Sequence, residues 1–177
     1  MYRIYKFRDV VRIPPERFGE DLKKVALDIL REDYEGTVDK ELGIILTVTD
    51  VKIEEEGYIL PGDGATYHEV EFDLVAFVPL RHEVVEGIVD NVIPKAGVEV
   101  NIGPVLAFAH RSQLGDDRFI YDPATGSMVG ERSKVRIKKG DKVRGKIVQV
   151  SYANEVRIGI TMRQPHLGKI EEGGNEG

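Results

Sequence analysis

The residues with the clearest chemical bent in this sequence are cations. Between Arg132 and Lys169 the chain places eleven Lys and Arg against two acids, Asp141 and Glu155, a net of +9, although the whole 177-residue chain carries −6. The densest part is "KKGDKVRGKIVQV" at 138–150. Such a cluster in an acidic protein points to a polyanion partner. An oligonucleotide groove needs cations that follow the phosphates and aromatic faces on which bases stack. Lys134, Arg136, Lys138, Lys139, Lys142, Arg144, Lys146 and Arg157 are the candidate phosphate contacts. Phe108, Phe119, Tyr121 and Tyr152 are the aromatics within reach; Phe108 sits in the apolar run "PVLAFAH" and suits a core as well as a platform, so Tyr121 and Tyr152 are the stacking candidates. The competing reading is plain: Lys and Arg on the wet face of strands maintain solubility and discourage edge pairing.

Other chemistries find little support. With no cysteine, disulfides, thiol catalysis and cysteine zinc sites are excluded. His68, His82, His110 and His166 lie in separate segments, and "HEVVE" lacks the second histidine of a zinc helix. No nucleophile elbow, Walker loop or dinucleotide fingerprint is present. The expectation is a binding protein without cofactor, metal or catalytic residues, the alternative being a carboxylate pair that meets only in space. No apolar run approaches the ~20 residues of a bilayer span, and the start lacks the apolar centre of a secretory signal, which predicts no membrane contact and a cytoplasmic location.

The elements that must hold these cations fall into two halves. Residues 1–80 carry 10 Lys and Arg against 18 Asp and Glu, whereas 81–177 carry 15 against 13. The first thirteen residues read as a strand ended by Pro14-Pro15, and Phe18, Leu22, Val25, Ala26 and Ile29 then gather on one face of a helix stopped near Gly36. "LGIILTVTDVKIEEEGYIL" and "YHEVEFDLVAFVPL" read as strands joined by the turn "PGDG". The fold class is α+β: a helix on an antiparallel sheet over 1–80, then an all-β unit over 81–167, and a mobile acidic, Gly-rich tail over 168–177.

The all-β unit contains an echo. "VEGIVDNV" at 85–92 and "VRGKIVQV" at 143–150 share the frame V-x-G-x-[IV]-x-x-V, with Gly87 and Gly145 where strongly coiled strands bend. The decoration changes sign, from Glu86 and Asp90 to Arg144 and Lys146. With "GVEVNIG", "PVLAFAH" and "NEVRIGITM" this makes five short strands, the count of an OB-fold barrel, and "YDPATGSMVGERSKVRI" reads as an extra hairpin before the fourth.

"EVVEGIVDNV", "FAHRSQL", "KKGDKVRGKIVQV" and "RIGITMRQPHLG" together resemble an S1 domain, the RNA-binding OB-fold, with H-x-S-x-L at His110 to Leu114 and G-D-x-V at Gly140 to Val143 as its marks. An amino-terminal α+β domain leading through "VPLRHEVVEGIV" into that S1 domain resembles the E-prime family of archaeal RNA polymerase subunits, counterparts of the seventh-largest subunit of eukaryotic RNA polymerase II. The resemblance implies a non-catalytic stalk protein that pairs with the polymerase F subunit, docks on the polymerase core through its amino-terminal "tip" domain, and meets nascent single-stranded RNA through the S1 domain. It makes the loops 36–43 and 61–66 the docking candidates, with Gly36, Gly43, Pro61, Gly62 and Gly64, and the apolar strand 72–78 with the inter-domain seam the candidate surface for the F subunit. The chain departs from the S1 pattern at Val98, where an aromatic is usual, which shifts weight toward Arg and Lys contacts with the backbone. A stand-alone S1 translation factor, an S1 component of an RNA-degrading complex and an unrecognised hydrolase are the rival readings.

Overall fold

The computed structural model describes residues 1–171. Two compact units divide at Val78 and Pro79. Strand outweighs helix: the described residues contain a single α-helix, of 13 residues.

The first unit is a sheet ordered β1-β5-β3-β2, built from β1 (Tyr2–Ile13), β2 (Val38–Asp39), β3 (Gly43–Ile53) and β5 (Thr66–Phe77), with β4 (Tyr58–Ile59) pairing the start of β5. β1 and β5 run antiparallel in unbroken register from Tyr2 opposite Phe77 to Ile13 opposite Thr66. Alternation along β5 buries Val70, Phe72, Leu74 and Ala76 and turns Glu69, Glu71 and Asp73 outward. Against the buried face lies α1 (Leu22–Tyr34), started by Asp21, whose carboxylate accepts from the Lys23 and Lys24 amides. Val25, Ala26 and Leu30 enter the core formed by Val11, Val48, Phe72 and Leu74.

The apolar spacing starts this helix one turn too early, while its stop near Gly36 agrees with the end at Tyr34. Phe18 lies outside it, half exposed after a 3-10 turn at Pro15–Arg17, and Leu30, which the spacing leaves out, is fully buried beside Ile29, which packs half buried against the core. In the strand 72–78, expected to receive a partner, Phe72, Leu74 and Ala76 are buried in the core of the first unit, Phe77 and Val78 are buried as well, and β5 is a central strand flanked by β1 and β3.

The second unit is a barrel of β6 (Val84–Ile93), β7 (Gly97–Asn101), β8 (Leu106–His110), β12 (Lys142–Ser151) and β13 (Arg157–Thr161). β12 pairs both β6 and β13, and β13 pairs β8 in parallel, so the ring closes. The extra hairpin is a three-stranded sheet, β9 (Phe119–Asp122), β10 (Ser127–Gly130) and β11 (Arg136–Ile137). Val89, Val98, Val100, Ala107, Val143, Ile147 and Ile160 are among the buried barrel residues. The expected tail begins later than 168, since β14 (Gly168–Lys169) pairs with Val143 and Arg144 of β12, and the Ile170 amide donates to the Lys142 carbonyl at 2.8 Å. The rest of that tail, 172–177, lies outside the described residues.

The two copies of the echo are neighbours: Gly87 of β6 stands opposite Val143, and Gly145 of β12 opposite Val85. A methyl at Gly87 would collide with the Asn101 carbonyl oxygen, and one at Gly145 would stand 2.9 Å from Ile160 Cδ1. Both glycines permit close approach of another strand or side chain.

Candidate nucleic-acid interface

The cation-rich segment is organised by its own turn. Gly140 takes φ 92°, Asp141 accepts from the Lys138 amide at 2.9 Å, and two backbone bonds tie Gly140 and Asp141 to Val89 at 2.8 and 2.9 Å. This is the physical content of the G-D-x-V motif: a turn that delivers Val143 to the core. From there Val143, Gly145 and Ile147 face inward, so Lys142, Arg144 and Lys146 share the outer face. The broken alternation at Ile147-Val148 is a β-bulge against β13, and it falls after the three cations.

Those three cations are already engaged. Arg144 stands opposite Glu86 on β6 and donates from Nη2 at 2.7 Å and Nε at 2.9 Å to Oε1, while Lys142 Nζ lies 3.4 Å from Oε2. Arg144 then Lys142 hold the Glu86 carboxyl below its usual range. Lys146 reaches Gln164 Oε1 at 3.4 Å, and Arg144 Nη1 reaches the His166 carbonyl at the same distance. The sign change from Glu86 to Arg144 between the two copies of the echo is thus cross-strand complementarity, whereas Lys146 stands opposite Val84.

The remaining candidates scatter over the barrel unit. Lys138 and Lys139 stand exposed in the turn before β12, and Lys134 is exposed beyond β10; no side-chain partner is recorded for these three among the described residues. Arg136 is occupied, its Nη1 donating to Thr125 Oγ1 at 2.6 Å and Asp122 Oδ2 at 3.2 Å, which braces the β9–β10 turn. Arg157 pairs with Glu155 at 3.0 Å at the mouth of β13. Tyr121 is half buried and registers with Met128, on the inward side of the small sheet, and Tyr152 is half buried just past β12. Phe119 is only 4% exposed and serves the core.

Lys134 and Arg136 line a groove of about 1000 Å³ with Arg163, His166 and Lys169. Arg144 and Lys146 touch the 164–166 segment of its wall, so the β12 face and this groove meet along one strap. The groove also holds Asp116, paired with Arg163 at 3.3 Å, and Asp117, pulled down to about 2 chiefly by the Ser133 backbone amide and then the Ser133 hydroxyl. Asp117 anchors the loop that presents Arg132 and Lys134.

Sequence reasoning passed over Arg163 and Lys169, although both contribute to the charge excess, because nothing in the chain shows that 162–169 folds back along β12. It also undervalued Phe108 and His110. Buried Ala107 and Ala109 alternate with them, so both point outward, with rings 6.5 Å apart. The Ser112 amide donates to His110 Nδ1, which leaves the proton of the neutral ring on Nε2. The H-x-S-x-L motif is this cap of the 3-10 turn, with Leu114 buried beneath.

The docking candidates of the first unit do not form one edge. Gly36 and Gly43 bracket the β2 hairpin, whose Ile44 pairs with Phe77, while Pro61, Gly62 and Gly64 belong to the turn whose Ile59 pairs with Thr66. These ends of β5 are eleven residues apart, about 35 Å along a strand. The 61–64 turn is stiffened by Asp63, whose carboxylate accepts from Arg12 Nη2 and Nε at 2.8 and 2.9 Å, the Tyr67 hydroxyl at 2.5 Å and the Ala65 amide at 3.1 Å. Arg12 foremost, then Tyr67, depresses the Asp63 carboxyl strongly. Beside it Tyr58, Ile59 and Leu60 are successive exposed apolar side chains, Ile59 at 70%.

Among the described residues no cluster of three or more His, Asp or Glu is arranged to hold a metal, and no helix is long and apolar enough to cross a membrane. Residues 8–64 match the family described as "SHS2 domain found in N terminus of Rpb7p/Rpc25p/MJ0397", and residues 78–159 match the "S1 RNA binding domain". The chain is 46% identical over 173 residues to DNA-directed RNA polymerase subunit Rpo7 of Sulfolobus acidocaldarius, covering 97% of this chain and 94% of that one. It is 48% identical over 174 residues to the Rpo7 subunit of Saccharolobus shibatae, covering 97% and 96%. The RNA polymerase II subunit rpb7 of Schizosaccharomyces pombe is 32% identical over 163 residues, covering 90% and 94%. By identity sustained across both units, the chain belongs to the Rpo7 family of DNA-directed RNA polymerase subunits.

Proposed function

We propose that this chain is a non-catalytic stalk component of a cytoplasmic RNA polymerase, paired with the smaller F subunit, docked on the polymerase core through the unit Met1–Val78 as its tip, and holding nascent single-stranded RNA on its S1 barrel. The observation that carries the reading is the near-full-length identity to Rpo7 subunits, joined to an S1 barrel that holds the chain's cation excess. Lys134, Lys138 and Lys139 are the proposed primary phosphate contacts, with Lys142, Arg144, Lys146 and Arg157 beside them and Tyr152 as a stacking face. Tyr121 and Arg136 take supporting roles in the small sheet. The 61–64 turn with its apolar neighbours Tyr58, Ile59 and Leu60 is the proposed core contact, and the exposed flank of Tyr2 and Ile4 the proposed contact for the F subunit, in place of the buried strand 72–78.

Affinity purification of the tagged chain from its own cells tests this. Polymerase subunits should co-purify in stoichiometric amounts; recovery of ribosomal or RNA-degrading components without polymerase would overturn the reading in favour of its rivals.

A further inference from the structure

We propose that Glu86 is an internal phosphate substitute that holds the Arg144 and Lys142 cations in reserve and so weakens the RNA affinity of the barrel. This inference rests on the reading of the S1 unit as an RNA-binding surface.

Three donors converge on one carboxylate. Arg144 Nε and Nη2 approach Oε1 at 2.9 and 2.7 Å, and Lys142 Nζ approaches Oε2 at 3.4 Å. The arrangement suits two oxygens of a phosphodiester as well as it suits a carboxylate. Arg144 is steadied from behind by the His166 carbonyl at 3.4 Å, and Lys142 and Arg144 flank the buried Val143 on a strand locked between β6 and β14. The cations are therefore positioned by the fold and not by Glu86 alone.

All three side chains remain open to solvent, at 41% for Glu86, 38% for Arg144 and 48% for Lys142, so an incoming phosphate can reach them. An exposed pair of this kind is weak and screened by salt. RNA must nevertheless displace the Glu86 carboxylate, or approach it, before these two cations contribute. A cross-strand ion pair serving the fold alone makes no such demand.

The two roles separate in a mutant cycle on the full chain, read by fluorescence anisotropy with a labelled oligouridine RNA. Glu86→Gln keeps the side-chain shape and removes the charge. It should tighten RNA binding about three- to tenfold at 50 mM salt and steepen the log–log salt slope by about 0.7 to 1.4, the equivalent of one or two more phosphate contacts on a single strand. Arg144→Ala should cost several-fold more affinity in the Glu86→Gln background than in the wild type, because only there is Arg144 free. Equal costs in both backgrounds, or an unchanged affinity with Glu86→Gln while the wild type binds, would overturn the proposal and leave Glu86 a strand-pairing residue. Absence of binding by both wild type and Glu86→Gln would overturn the RNA reading itself, and this inference with it.

Discussion

The sharpest consequence of the cation geometry concerns salt. Seven of the eleven cations between Arg132 and Lys169 already touch an acid, an amide oxygen or a carbonyl: Arg136, Lys142, Arg144, Lys146, Arg157, Arg163 and Lys169. The other four, Arg132, Lys134, Lys138 and Lys139, are exposed and their side chains have no partner among the described residues; the three lysines are the ones that the sequence points to. If phosphates are held chiefly by free cations, changing these three to Gln should remove up to three single-strand contacts. The slope of log affinity against log salt should then become shallower by about 2 units. Raising salt from 50 to 200 mM should therefore weaken the wild type by a factor about twenty greater than it weakens the triple variant. The assay is an anisotropy titration of single-stranded RNA at four or five salt concentrations. A variant with the wild-type slope would refute the reasoning, because the free lysines would then be solvated surface and any RNA contact would lie elsewhere on the barrel.

The remaining predictions concern the scaffold. Gly87→Ala should cost about 2–3 kcal/mol, measured by urea unfolding of the barrel, because the new methyl meets the backbone carbonyl of Asn101. Gly145→Ala should cost less, about 1 kcal/mol, since the obstacle is the Ile160 side chain, whose nearest atom Cδ1 gives way more easily than a backbone carbonyl; equal costs would disprove the distinction. Leu30→Ala should destabilise the first unit by about 3 kcal/mol, as for other fully buried leucines, with loss of helical signal at lower urea. The depressed Asp63 carboxyl contributes stability above the ordinary carboxylate value of 3.8, and that contribution fades as pH falls below it toward the folded-state value. Melting temperatures of wild type and Asp63→Asn should therefore differ at pH 7 and converge as the pH is lowered past about 4; a gap that is constant with pH would count against the Arg12–Asp63 pairing.

Legibility in the sequence followed the range of the interactions. The barrel strands and the "PGDG" turn were readable because alternation and turn chemistry are local: Val143, Gly145 and Ile147 mark an inner face by themselves. The helix start was misplaced because Phe18 continues the apolar spacing, whereas the amides of Lys23 and Lys24 bind Asp21 and begin the helix there. The strap 162–170 was invisible for a different reason. Its pairing with Val143 and Arg144 spans more than twenty residues and involves Gly168 and Lys169, which look like tail. The docking loops were individually readable as turns, but only the register along β5 reveals that Gly43 and Pro61 lie at opposite ends of the sheet.

The charge excess illustrates how far composition can carry an argument about a binding face. A net of +9 over one segment suggested a surface of free cations, yet charge along a strand is partly an answer to charge on its neighbour. Glu86 lies far from the segment in sequence and directly opposite Arg144 in register, so a count restricted to the segment cannot include it. The same holds for Asp116 beside Arg163 and Asp122 beside Arg136. What distinguishes Lys134, Lys138 and Lys139, together with Arg132, is therefore their place in turns, where no adjacent strand supplies a carboxylate. In this chain, therefore, the cations without a partner lie in turns at the ends of strands, while the most densely charged strand, β12, holds cations that are already engaged.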